Sequence, residues 1–236
     1  MRVGLVSDVH ANRIALEAVL EAMPPVDRLV CAGDVVGYNP HPADCVAAVR
    51  GRSSLLADHA VDVPTPLPTV RGNHDRTVET PERYRHNRMA HAGLELARER
   101  LSGDDRAWLA NLPEGRTLYD GRLRVVHSHP ERTDEYVMPG EFRLLAEHLG
   151  GEAVLVLGHT HVQHHERVDG TLVVNPGSVG QPRDGDLRAA FAVLDLDGND
   201  ASVTEHRVGY DIDRVREDVE AAGLPSRTGS RLERGE

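Results

Sequence analysis

One pattern constrains this chain more than any other: five short apolar runs each lead into residues able to ligate a metal. Residues 2 to 7 read as a buried strand that stops at Asp8, with His10 and Asn12 just beyond. Arg28 to Ala32 is a second strand, ending at Gly33-Asp34-x-x-Gly37. A short strand at Thr69 to Arg71 delivers the turn Gly72-Asn73-His74-Asp75. Leu123 to Val126 runs directly into His127, and Ala153 to Leu157 into Gly158-His159-Thr160-His161. Ligands of open α/β sheets gather outside the carboxyl ends of strands, so loops distant in sequence can share one site.

The runs between these strands carry a different period. Ile14 to Met23 has apolar residues at helical spacing after Asn12 as a candidate N-cap, and Pro42 to Arg50 starts with proline in its first turn. Residues 82 to 111 are Arg-rich and helical in pattern, with a break at Ser102-Gly103, and are expected to form a small helical cap around 80–112. Leu55 to Ala57 offers a further strand, although the Pro-rich stretch after it resists regular structure. The second half is rich in hairpin signals. Asp120-Gly121, Asp169-Gly170 and Asp197-Gly198 each separate apolar runs, and Glu141 to Leu149 and Asp211 to Ala222 are helical. Strand–helix alternation followed by hairpins predicts an α/β fold of two packed mixed β-sheets flanked by helices. A single domain over 1–222 accounts for the length, and 223–236, with little to bury, is expected to be a flexible tail.

Composition removes several classes of function. The net charge is −11, and no stretch is basic enough to suggest a nucleic-acid-binding surface. No apolar run approaches the ~20 residues that span a membrane, and the apolar start is broken at Asp8, so neither a membrane anchor nor an export signal is expected and the cytoplasm is the default. Cys31 and Cys45 provide no disulfide framework and read as small buried hydrophobes. Every basic residue is Arg, which suits either a GC-rich genome or a salt-rich interior. Oligomeric state is left open.

Each metal-capable cluster alone has an ordinary structural explanation, because Asp and Asn favour turns and caps anyway. Five of them in this order, each behind an apolar run, are hard to explain as structure alone. Taken together, Asp8-x-His10, Gly33-Asp34-x-x-Gly37, Gly72-Asn73-His74-Asp75, His127 and Gly158-His159-Thr160-His161 resemble the calcineurin-like metallophosphoesterase family, in its small stand-alone phosphodiesterase-type branch. The segment Asn175 to Gly180 resembles the loop that follows in that branch, and the resemblance runs from Arg2 to about Tyr210.

The resemblance implies a four-layer α/β/β/α sandwich and two divalent transition-metal ions. Asp8, His10, Asp34 and His161 would hold one, and Asp34, Asn73, His127 and His159 the other, with Asp34 bridging. Imidazole and carboxylate together suit Mn, Fe, Co, Ni or Zn and argue against Ca; Mn is the expected metal. Two dications, two carboxylates and a bridging hydroxide leave a local charge of about +1, enough to draw in a phosphate. The implied reaction is hydrolysis of a small phosphate ester, diester or monoester, by that hydroxide. His74, with no metal assigned, would contact the phosphate and stabilise or protonate the leaving oxygen. Asp75 either orients the His74 ring or caps the helix that follows.

Arg76 and Arg183 are candidates for binding substrate phosphate, although a solvent-exposed Arg is the plainer reading of each. His129 is the alternative if His127 is the wrong member of its pair, His86 and His91 are expected on a helix surface, and Trp108 is expected to anchor the cap. Protein phosphatases of the same superfamily resemble a second motif containing Asp-Arg, which Gly37-Tyr38-Asn39 lacks; that absence and the small cap favour a diester. The alternative class is a catalytically weak protein-binding scaffold of the same fold, and the completeness of the ligand set speaks against it.

Overall fold

β1 (Arg2–Val6) shows how one short run serves two layers. Side chains of a strand alternate between faces. Val3 and Leu5 point into an apolar cluster shared with a second sheet, whereas Val6 packs under helices on the other side. Both faces are buried, which is why the run is almost continuously apolar. The structure, a computed structural model, describes residues 1–59, 61–198 and 200–236.

After β1 come α1 (Arg13–Ala22), β2 (Arg28–Cys31), α2 (Pro42–Val49), α3 (Leu55–Asp58), α4 (Asn73–Thr77), a 3-10 turn at Pro81–Tyr84, α5 (Arg88–Arg100) and α6 (Gly103–Ala110). The second half contains β3 (Gly115–Leu118), β4 (Leu123–Val126), a 3-10 segment at Pro139–His148, β5 (Val154–Val156), β6 (His164–Val168) and β7 (Thr171–Asn175). The chain closes with β8 (Ala189–Asp197), β9 (Asp200–Val208), α7 (Ile212–Ala221), α8 (Arg227–Ser230) and a 3-10 turn at Arg231–Arg234. Helix starts are set by side chains: Asn12, Asn87, Ser102 and Asp211 accept a main-chain N–H at the heads of α1, α5, α6 and α7.

One sheet has the order β2-β1-β8-β9 and the other β3-β4-β5-β7-β6. Each is mixed: β1 runs parallel to β2 and antiparallel to β8, while β4, β5 and β7 run parallel with antiparallel neighbours at both edges. Val3, Leu5, Val30, Leu194, Val125 and Val156 fill the space between the sheets. The first sheet's outer face is covered by α1, α2, α5 and α6, and the second sheet's by the 139–148 segment through Phe142 and Leu145. Helices, sheet, sheet and helical segment make the four layers.

The structure differs from the sequence reading in four places. Leu55–Asp58 is a helical turn, not a strand, because no strand lies beside it to take its hydrogen bonds. The strand expected at Thr69 to Arg71 reduces to a single bridge between Thr69 and Cys31. The helix expected at Glu141 to Leu149 is 3-10 and starts at Pro139. The flexible tail expected at 223–236 is also corrected. Leu232 is fully buried against Val215 and Val219 of α7, Thr228 is buried beside it, and Glu233 pairs with Arg216 at 2.7 Å. Few apolar residues occur there, but they fall on one face.

The helices at 88–110 bury Leu94, Ala97 and Leu109 in the same cluster as Val6 and Leu29, and Trp108 packs against it under the Arg50 guanidinium. Among the described residues no helix is long and apolar enough to cross a membrane.

Candidate metal centre

The loops after β1, β2, β4 and β5 and the head of α4 meet at one end of the two sheets. Their conformations are unusual: Asp8, His10, Asp34, His159 and His161 all have positive φ, between 46° and 69°. For residues with a side chain this region is disfavoured by roughly 1–2 kcal/mol each, less for Asp. Bonds between loops hold them there. Asp8 N donates to the Gly33 carbonyl and His10 N to that of Asp34, each at 2.9 Å, while Ser178 Oγ donates to the carbonyl of Asp8 at 2.8 Å. The loop at Asn175 to Gly180 is therefore a brace for the first ligand loop.

All seven residues expected to bind metal are buried and face one region. Three imidazoles share one arrangement. Nδ1 of His10, His127 and His161 lies against the main-chain oxygens of Val36, Ala32 and Gln181 at 3.0, 2.7 and 2.5 Å, so Nδ1 donates and Nε2 turns its lone pair inward. The carboxylates are divided likewise. Asp8 Oδ2 accepts from Ser7 Oγ and His159 N, leaving Oδ1 turned to the imidazoles, 3.2 Å from His161 Nε2 and 3.7 Å from His10 Nε2. Asp34 Oδ1 accepts from His74 N at 2.8 Å, and Oδ2 lies 3.4 Å from His127 Nε2 and 3.7 Å from His10 Nε2. Nε2 of His10 and Nε2 of His161 face each other at 3.1 Å. With both Nδ1 atoms donating elsewhere, two lone pairs oppose each other unless a cation or a proton lies with them. The donor set therefore fits divalent metal.

Among the described residues, the groups whose ligand atoms lie within 4.8 Å of one another are Asp8-His10-His161, Asp8-Asp34-His127 and His10-Asp34-His74. Asp34 and Asp8 each join two of them. Asn73 Oδ1 is 3.1 Å from His127 Nε2, which adds the amide to the second group. His159 stands further out: its Nε2 meets the carbonyl of Asp134 at 3.1 Å, and Nδ1 is the nitrogen left for the centre. His129, the alternative to His127, points away from the cluster, its Nδ1 accepting from Glu131 N and Arg132 N.

His74 sits beside the cluster, and its Nδ1 is buried without a partner, so Nε2 is the nitrogen the cavity reaches. Of the two roles open to its neighbour Asp75, the contacts are those of a cap on α4 and not of a partner to the His74 ring. The Asp75 carboxylate does not touch the His74 ring; it accepts from Val35 N, Val36 N and Gly72 N. It ties the Asp34 loop to the head of α4 and is a positioning residue. Arg76 is held by both oxygens of Asp134, with Glu114 at 3.5 Å, so much of its charge is already matched. Among the described residues Arg183 has no carboxylate partner: it donates to Gln181 Oε1 and to Tyr38 OH, over whose ring it lies.

Burial without metal shapes the titration. Burial lowers His10, His161, His74 and His159, the last two to about 4, against the pull of nearby Asp34 or Asp8. Burial opposes a cation at His127 too, but Asp34 overrides it and drives the ring up to about 10. For Asp8 and Asp34 burial favours the acid form, yet His161 and His127 respectively hold them below the ordinary carboxylate range. Asp75, buried beside Asp34, rises to about 7.

Asp34, Asn73, His159 and His161, with His74 beside them, form the floor of a cavity of about 630 Å³. Its walls include residues the sequence reading passed over: Tyr38, Tyr84, Tyr136 and Arg231. Tyr84 OH is 2.5 Å from Asn73 Nδ2, and Tyr136 stacks on His159 with ring centres 4.2 Å apart. His86, expected on a plain helix surface, lies on the cavity wall stacked against Tyr84. No metal-type motif marks these positions, and only the fold brings them in.

Residues 1–199 match the calcineurin-like phosphoesterase superfamily domain. The chain belongs to that superfamily. Among solved structures, this phosphoesterase is similar over the whole of both chains to a metallophosphoesterase from Sphaerobacter thermophilus, with 33% identity and a TM-score of 0.83. Among curated relatives, an uncharacterised protein of Methanocaldococcus jannaschii is 27% identical over 98% of this chain and 96% of its own length. Phosphodiesterase YfcE of Escherichia coli is 27% identical over 84% of this chain and 89% of its own.

Proposed function

We propose that this phosphoesterase is a dinuclear metal-dependent phosphodiesterase, with Mn as the working metal. The observation that carries the reading is the convergence of one oxygen from each of Asp8 and Asp34 with Nε2 of His10, His127 and His161, all buried, with their remaining polar atoms satisfied by the backbone or by Ser7. Asp8, His10, Asp34 and His161 would hold one ion and Asp34, Asn73, His127 and His159 the other, and ions so held supply Lewis acidity and an activated water for in-line displacement.

The chain's own side chains do the rest. Arg183, uncommitted to any carboxylate, orients the phosphate from the wall. His74 has no carboxylate behind Nδ1, and burial outweighs the pull of Asp34 on its ring, so it serves as a neutral donor from Nε2 to a phosphoryl oxygen. Tyr38 and Tyr136 narrow the space around the ester and limit water. A cavity with aromatic and cationic walls accommodates a substituent on each side of the phosphorus, and the likeness to a phosphodiesterase points the same way. The buried free thiols Cys31 and Cys45 suit a reducing compartment, and we place the protein in the cytoplasm.

The test is hydrolysis of an aryl phosphodiester by metal-depleted protein, with and without Mn, alongside Asp34→Asn. Asn at this position still accepts from His74 N but cannot offer a charged oxygen to two ions. Turnover is expected only with metal, and Asp34→Asn is expected to lose it by about two orders of magnitude or more while keeping its fold. Equal turnover with metal and with chelator would refute the metal-dependent mechanism, and no turnover in either would leave the scaffold reading in its place.

A further inference from the structure

The cavity above the metal centre does not end at its wall. A second cavity of about 750 Å³ adjoins it, and His86, Asn87 and Arg231 line both. The far side is made by the C-terminal segment, through Pro225, Ser226, Arg227 and Arg231. This segment lies beyond the residues 1–199 matched by the family domain. It is held in place by buried Leu232, by the Arg216–Glu233 pair and by Gly185 N donating to the Gly235 carbonyl at 3.1 Å.

The continuous groove is basic in a chain of net charge −11. Arg83, Arg88, Arg183, Arg227 and Arg231 line it; among the described residues Arg83, Arg88, Arg183 and Arg227 have no carboxylate partner, while Arg231 Nε donates to the main-chain oxygen of Glu236. Arg76, on the wall of the first cavity, is matched by Asp134 beside it, and Asp34 lies at that cavity's floor, so the unmatched charge is concentrated towards the second cavity. Among the described residues no carboxylate lines the second cavity. Partial burial and the nearby Arg183 both lower the pKa of Arg231, which marks like charges facing each other across the groove. Unmatched guanidinium groups on a fixed backbone are suited to phosphate, which they bind through paired N–H donors.

We propose that the C-terminal segment supplies a second anion subsite, and that the substrate is a small ester carrying a further phosphate: one phosphate is hydrolysed at the metal centre while another rests on Arg88, Arg227 and Arg231. The assignment of the first phosphate rests on the phosphodiesterase reading above. A long polyanion is disfavoured because the basic lining is confined to the groove and the remaining surface carries the negative excess.

The test uses the full chain and the double variant Arg88→Gln/Arg227→Gln, both exposed positions, with thermal unfolding to confirm the fold. Calorimetric titration of metal-free protein with inorganic tripolyphosphate should show binding weakened about tenfold or more in the variant, in line with the loss of charge-assisted contacts. The second measurement compares an aryl phosphodiester whose leaving group bears an extra phosphate with the same ester lacking it, under Mn. Wild type should prefer the first, and the variant should lose about tenfold of that preference in kcat/KM, chiefly through KM. Tripolyphosphate affinity unchanged within about twofold, or equal slowing of both esters, would overturn the subsite. If wild type turns over neither ester, the phosphodiesterase reading fails, and the calorimetric comparison still decides the subsite.

Discussion

Gly93 couples the helical layer to the cavity wall, and Gly93→Ala tests that coupling. Gly93 lies in α5 with its Cα against the loop that carries Tyr38. A Cβ built there falls 2.2 Å from Tyr38 N, 2.6 Å from its Cα and 2.9 Å from its carbonyl carbon. Ordinary contact begins at 3.4 Å, so the closest approach is short by 3.4 − 2.2 = 1.2 Å. All three atoms are backbone, so no rotamer change relieves the overlap, and α5 and the loop must separate. Overpacking of this kind costs about 3 kcal/mol at the upper end of its usual range. Alanine returns about 1 kcal/mol of helix propensity. The net loss of about 2 kcal/mol lowers the Tm by roughly 4–8 °C in a chain of this size.

The displaced loop also moves the Tyr38 ring, which is 4.8 Å from the rings of both His10 and His74 and lies under Arg183. Displacements of about 1 Å near the chemistry can cost about a hundredfold in rate. The assay is differential scanning calorimetry with kcat/KM on an aryl diester. Gly103→Ala is the control, because a Cβ there meets nothing within 4 Å. A Gly93→Ala protein with its Tm within about 1 °C of wild type and its rate within about twofold would refute the coupling.

Two further outcomes are expected. His74→Ala should lose about 10²–10³-fold in kcat, as for one donor to a developing oxyanion, with metal content unchanged by elemental analysis. Equal losses on aryl and alkyl esters would identify a hydrogen-bond donor, a greater loss on the alkyl ester a proton donor, and a parallel loss of metal a ligand, as the His10-Asp34-His74 grouping would permit. His41, burial outweighing the pull of Asp218 at 3.2 Å, has its pKa lowered below 6.5. The unfolded chain therefore takes up that proton first, and the stability contributed by the neutral ring is present above pH 6.5 and lost as pH falls from there through the folded pKa. His41→Gln should lose less stability than wild type between about pH 7.5 and 5.5 in urea unfolding; an identical loss would count against the assignment.

The metal-capable residues were legible because the information is local. An apolar run followed at once by Asp, His or Asn fixes both the strand and the end at which its loop emerges, and the superfamily match agrees with the fold so read. What sequence did not disclose depends on distant partners. Asp75 has its three donors on Val35, Val36 and Gly72, and two of them belong to another loop. Tyr38, Tyr84 and Tyr136 come from three segments with no shared pattern. The basic groove is invisible in an acidic chain because its arginines come from 83–88, 183 and 227–231. The C-terminal segment looked empty because its burial rests on single residues such as Thr228 and Leu232.

The positive φ angles at Asp8, His10, Asp34, His159 and His161 bear on how such a protein can change over generations. These residues hold conformations that glycine adopts freely, so glycine at any of them relaxes the main chain while removing a metal-capable side chain. Relief of backbone strain therefore offsets part of what drift away from catalysis costs, the rest being donors such as His74 N and His159 N left without Asp34 and Asp8. A lineage released from selection on hydrolysis inherits an intact platform instead of a collapsing one, whereas recovering the chemistry requires several strained loops to be rebuilt together. Decay of the active site is easier than its return, and the asymmetry is built into five backbone angles.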